Sequence, residues 1–95
     1  MIADIGALLG GTAWDYTNQS SASQEVVYAS LTAPAVVKAT VTLNGATVDI
    51  VYAGAGGTHS WWRGSSGGLL PMPLAPGDRV VVSVSGPCAF RAHVQ

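Results

Sequence analysis

Residues 35–53 read AVVKATVTLNGATVDIVYA, two alternating apolar runs separated by Asn44-Gly45. An Asn-Gly pair between such runs is a strong signal for a two-residue type I′ hairpin, because both central residues must take positive φ. That loop length sets a register. Leu43 is expected opposite Ala46, Val41 opposite Val48, Ala39 opposite Ile50 and Val37 opposite Tyr52, all apolar and on one face. The other face then pairs Thr42 with Thr47 and Thr40 with Asp49. Lys38 falls opposite Val51 and diagonal to Asp49, close enough for an ion pair. Turn chemistry and alternation agree, which is what a real element requires.

Working outward, Val26, Val27, Tyr28 and Leu31 form an earlier strand that ends before Pro34. After the hairpin, the glycine-rich GAGGTHS stretch (54–60) reads as a loop and HSWWR (59–63) as a short strand. Leu69 to Leu74 is apolar but carries Pro71 and Pro73, so it reads as an edge strand or a polyproline-like crossing. Ala75-Pro76-Gly77-Asp78 has the residues of a type II turn. A second hairpin is expected at the end, with a three-residue turn at Gly86-Pro87-Cys88. It would pair Val84 with Phe90, Val82 with Ala92 and Val80 with Val94. About seven short strands with frequent turn signals predict an all-β fold, a single small β-sandwich of jelly-roll or immunoglobulin-like type.

The chain of 95 residues fits one domain, and 48% hydrophobic content supplies a core. Asp, Glu, Lys and Arg make up only 9% of it, where soluble proteins average about 25%. Interface cores are depleted of charge in this way, so much of the surface is expected to be covered by partner subunits. A small module kept soluble by hydroxyls is the alternative. Four basic residues and a net charge of −1 offer no phosphate-tracking stripe, so no nucleic-acid partner is expected. Cys88 stands alone, which excludes an internal disulfide. Small domains without such staples often oligomerise instead.

Residues 1–23 read as an N-terminal anchoring arm ahead of a β-domain at 24–95. Ile2, Ile5 and Leu8 are apolar anchors whose near-helical spacing fits a short helix stopped by Gly10-Gly11 as well as an extended arm, and the polar stretch from Thr12 holds Trp14 and Tyr16. Two positions apart in an extended segment, these two rings share a side. A first edge strand of the same domain is the other reading of this stretch. Met1 to Leu9 is too short to span a bilayer, carries Asp4 and lacks a basic leading region. It therefore reads as neither a membrane span nor a targeting segment.

No catalytic constellation stands out among the five acids. His59, His93 and Cys88 lack the spacing of metal ligands, and no phosphate loop or nucleophile elbow is present. Neither enzymatic activity nor a cofactor is expected. Recognition is the better prospect at Trp61, Trp62 and Arg63. Adjacent residues on a strand face opposite sides, so one Trp is expected in the core and the other outside beside Arg63. Trp and Arg are enriched at binding hot spots, and a partner subunit or a sugar ring could stack there.

The short chain, its apolar leading stretch, its low charge, the Asn-Gly hairpin and the LAPGDRVVVSVSG turn-and-strand (74–86) together resemble small β-sandwich proteins of bacteriophage virions. Head decoration, head-spike and tail-fibre modules are of this type. The resemblance covers most of the chain as a style and carries no diagnostic motif. It implies a virion location and a non-enzymatic structural role, with docking by the arm onto major capsid or other virion proteins. It also implies a cyclic homo-oligomer such as a trimer. A receptor-binding or carbohydrate-binding module that recognises a host glycan is the alternative.

Overall fold

The structure, a computed structural model, describes residues 2–54, 56–62 and 70–95; for residues 2–10 and 62 it describes the backbone alone. Among the described residues there are seven strands: β1 (Ile2–Thr17), β2 (Gln24–Thr32), β3 (Val37–Leu43), β4 (Ala46–Ala53), β5 (Thr58–Trp62), β6 (Met72–Leu74) and β7 (Arg79–Val94). Every ladder among the described residues is antiparallel, so the expected all-β class is what the chain adopts.

The backbone of the sheet is a long ribbon. β7 pairs with β1 along one edge, from Arg79 opposite Thr17 to His93 opposite Ile2. Along its other edge lie β3, from Val80 to Val84, and then β2, from Ala89 to Val94. β4 continues the sheet beyond β3, while β5 and β6 both pair with β2. Where β2 gives way to β3, Ala33 and Val37 are buried beside Gly86, and a Cβ on Gly86 would come within 3.1 Å of Val37 Cγ1. Three register shifts in β1 and the positive φ of Gly11 (98°) let the partner strand follow this corner. The sheet folds back on itself there, and its end strands β4 and β5 come into contact, so the sandwich is nearly a closed barrel.

The core lies inside that fold. Val80, Val82, Val84, Cys88, Phe90, Ala92 and Val94 of β7 are all buried, with Leu31, Val41, Trp61, Met72 and Leu74 from the neighbouring strands. Trp14 joins them, its ring 5.5 Å from Phe90 and 5.6 Å from Tyr16. Burying a large apolar side chain contributes roughly 1.5–3 kcal/mol, so Trp14 and Phe90 weigh heavily in a domain of this size.

Three expectations change. The stretch read as an anchoring arm is not set apart from the domain: Ile2–Thr17 is a strand hydrogen-bonded to β7, and Trp14 is spent on this chain's own core. The edge-strand alternative describes it. The expected terminal hairpin is also absent, since Arg79–Val94 runs on as one strand whose partner is β1. An odd-length turn and no turn leave the same residues on the inner face, so alternation could not separate the two.

The third change is in the Asn-Gly hairpin. Its turn forms as expected, with Asn44 at φ 52° and Gly45 at 85°, and Leu43 pairs with Ala46 and Thr42 with Thr47. Beyond that a bulge at Val48 shifts the ladder by one residue. Val41 is opposite Asp49, Thr40 opposite Ile50, Ala39 opposite Val51 and Lys38 opposite Tyr52. A one-residue slip exchanges the faces of a strand.

Candidate functional site

The slip in β4 creates the most distinctive surface of the molecule. Ile50 and Tyr52 turn outward, 46% and 65% exposed, and Val48 (44%) and Val36 (64%) are the other large exposed apolar side chains among the described residues. Lys38, opposite Tyr52, stands beside them, and the face continues across the sheet through Thr40 and Ser83. The largest exposed apolar patch on a monomeric protein is typically about 300–600 Å² and is often functional.

The same slip turns Asp49 toward β5 rather than toward Lys38, as the expected register had it. Its Oδ2 accepts the indole N–H of Trp61 at 3.2 Å, and its Oδ1 accepts the backbone N–H of Ile50 at 2.9 Å. One carboxylate thus joins the two end strands of the sheet and takes up an N–H at the start of the exposed run. Trp61 is 3% exposed, packed edge-on against His59 at 4.5 Å. It is therefore the core member of the Trp pair. Trp62 stands opposite Tyr28 in the β2–β5 ladder, and Arg63 lies outside the described residues.

A second feature lies on the other half of the sheet. A groove of about 200 Å³ is lined by Tyr28, Ser30, Thr32, Ala89, Phe90 and Arg91. The Thr32 and Thr58 hydroxyls meet at 2.8 Å at its margin, and Tyr28 is opposite His93. Hydroxyls, a phenol ring and a guanidinium along one groove can hydrogen-bond and stack on a polar ligand.

Of the residues singled out in the sequence, Ile2, Ile5 and Leu8 have backbones paired with His93, Phe90 and Cys88. Trp14 and Tyr16 stack in the core, and the Tyr16 hydroxyl donates to Gln24 Oε1 at 2.6 Å. The structure does not bring Trp14 or Tyr16 together with the exposed face of β4. Val36, Val48, Ile50 and Tyr52 were missed because the expected register put three of them inside. The signal available for them was a surplus: in TVDIVYA (47–53), both faces of the strand carry apolar residues.

Cys88 is buried, and the loss of solvent pushes its thiol pKa up, as befits an inert packing residue. Among the described residues no three His, Cys, Asp or Glu side chains gather as a metal site would require. A scan against protein-family models, a search of curated proteins and a search of solved structures each return no match.

Proposed function

We propose that this chain is a non-enzymatic structural subunit of a phage-like virion, a head decoration or other capsid-associated protein. Neighbouring subunits cover the outer face of β3 and β4. The observation that carries the reading is the pairing of scarce charge, 9% of residues, with the exposed Val36, Val48, Ile50 and Tyr52. A subunit surrounded by neighbours needs few ionic groups and presents apolar contacts to them. Trp14, being part of the core, is not available as an anchor, so docking moves from the N-terminal stretch to this face.

A tagged copy produced in the source of the sequence tests this. Density-gradient fractions should contain the chain in the band of intact particles, retained at high salt because the contact is apolar. A chain found only at the top of the gradient refutes the reading.

The groove at Tyr28, Ser30, Thr32 and Arg91 favours a second reading, a receptor-binding or carbohydrate-binding module. Saturable binding on a glycan array, lost in Tyr28→Ala, together with absence from particles, would support that alternative.

A further inference from the structure

The geometry points to a second copy of this chain as the occupant of the β3–β4 face, in a two-fold contact that lays Lys38 of each copy on Tyr52 of the other. This builds on the reading of the face as a subunit contact and names the first partner it takes.

Four side chains at 44–65% exposure present on the order of 400 Å² of mostly apolar surface. With exposed Thr47, Ser83 and Ser85 and half-buried Thr40 around them, the apolar part alone is about half of the roughly 800 Å² per partner of a standard interface. Sheet faces of this kind pack on one another with strands roughly 30° apart.

Among the described residues no carboxylate pairs with Lys38. Asp49 is turned to Trp61, and Asp15 is held by Arg79. A flat contact between like faces would set two ammonium groups against an apolar surface unless something receives them. The face supplies its own acceptor, since Lys38 and Tyr52 are cross-strand neighbours, one a cation and the other an exposed ring. A two-fold axis between the strands carries each cation onto the opposite ring, an arrangement in which cation and π-face attract. The lysine stem meanwhile covers apolar surface. An isologous contact needs such a self-complementary pair, and one cation beside one ring provides it.

Sedimentation velocity on the purified chain over a range of concentrations tests the inference. The expected result is a monomer–dimer equilibrium. Ile50→Arg and Tyr52→Ser should each abolish the dimer, Tyr52→Phe should preserve it, and Lys38→Gln should raise Kd by about tenfold, the cation contact being lost twice per dimer. These positions are exposed, so each variant should keep the parent's far-ultraviolet circular dichroism. A strictly monomeric parent, or a dimer indifferent to Ile50→Arg and Tyr52→Ser, overturns the inference. A monomeric parent that still bands with particles overturns this inference alone and assigns the face to another subunit. A dimer governed by Tyr52 that never bands with particles upholds it and overturns the virion reading.

Discussion

Replacing Asn18 should cost this domain a large part of its stability, and the cost should depend on pH for one replacement and not for another. Asn18 is the one fully buried polar residue among those described, at 1% exposure, directly after β1. Its amide uses every group it has. Nδ2 donates to the carbonyls of Leu74 (2.9 Å) and Ala22 (3.0 Å), and Oδ1 accepts from the N–H and hydroxyl of Ser20 at 3.0 and 2.7 Å. Its backbone N–H donates to Asp78 O and its carbonyl accepts from Gly77 N–H. The side chain thereby ties the end of β1 to the 19–23 loop and the end of β6, and the backbone of the same residue ties it to the turn before β7. Asn18→Ala removes two donated bonds worth about 1 kcal/mol each and leaves the Leu74 carbonyl, in a residue with no exposure, one partner short at a further ~1 kcal/mol. A total of about 3 kcal/mol lowers Tm by roughly 12–24 °C in a domain of this size.

Asn18→Asp keeps the shape and reverses the chemistry. An oxygen then replaces Nδ2 and faces the carbonyls of Leu74 and Ala22. The ionised acid is repelled by them and poorly solvated, whereas the protonated acid can donate to one. Its pKa is therefore raised in the folded state. Between the unfolded value of about 3.9 and the raised folded value the native state binds more protons, so stability falls as pH rises through that window and levels off above it. Urea unfolding of parent, Asn18→Ala and Asn18→Asp from pH 3 to 8 measures this. The Asp variant should approach the parent at the acid end and diverge toward neutrality, while the Ala variant keeps a constant offset. An Asp variant offset by the same amount at every pH, or an Ala variant within about 1 kcal/mol of the parent, refutes the role assigned to the amide.

Trp61→Phe keeps a ring in the core and removes the indole N–H from Asp49; a loss of roughly 1–2 kcal/mol is expected, and Asp49→Ala should add little to it in a double-mutant cycle. Asp15 is held bidentately by Arg79 at 2.8 and 2.6 Å, and those hydrogen bonds, with the guanidinium charge, lower its pKa. The pair's contribution is present above the unfolded carboxylate pKa and fades as pH falls through the folded one, so Arg79→Ala should move the Asp15 NMR titration upward toward 3.8. Gly77 sits at φ 89° in the turn before β7; Gly77→Ala should cost about 1–2 kcal/mol in chemical denaturation. Cys88 should react with a thiol reagent only as fast as the protein opens, so modification far faster than unfolding would contradict its burial.

The local signals in the sequence were readable because short-range chemistry sets them. Asn44-Gly45 demands two positive φ angles and Pro76-Gly77 one, and both turns form as their residues require. Asp78 N–H donates to Ala75 O at 3.0 Å, closing the second. The inner face of β7 was legible too, from Val80 through Val94. What alternation could not reveal was the partner. A valine-rich run is satisfied equally by a strand that turns back at Gly86-Pro87 and by one that meets a sequence-distant strand, and β1 lies more than sixty residues away. The Trp14–Tyr16 pair was recognised as an anchor for a surface; that surface proved to be the chain's own core at Phe90, and nothing local distinguishes the two. The exposed apolar face escaped notice because two registers of 47–53 both place apolar groups inward.

The choice between those registers shows how one residue links fold to surface. Without the bulge, Val48, Ile50 and Tyr52 would face the core and Asp49 would face solvent near Lys38, an arrangement that removes the exposed patch. With it, the smaller Val51 and Ala53 face inward and Asp49 reaches Trp61. The interior already holds Trp14, Trp61 and Phe90, and a space packed at near-crystalline density accepts Val and Ala more readily than Ile and Tyr. The carboxylate adds a directional bond across the β4–β5 seam that no outward aspartate could make. Those interior gains come with an apolar outer face, which water penalises and a second protein surface does not. A sequence that holds this register while leaving Ile50 and Tyr52 uncharged is consistent with a face that is covered, and the dimer equilibrium is where that consistency meets measurement.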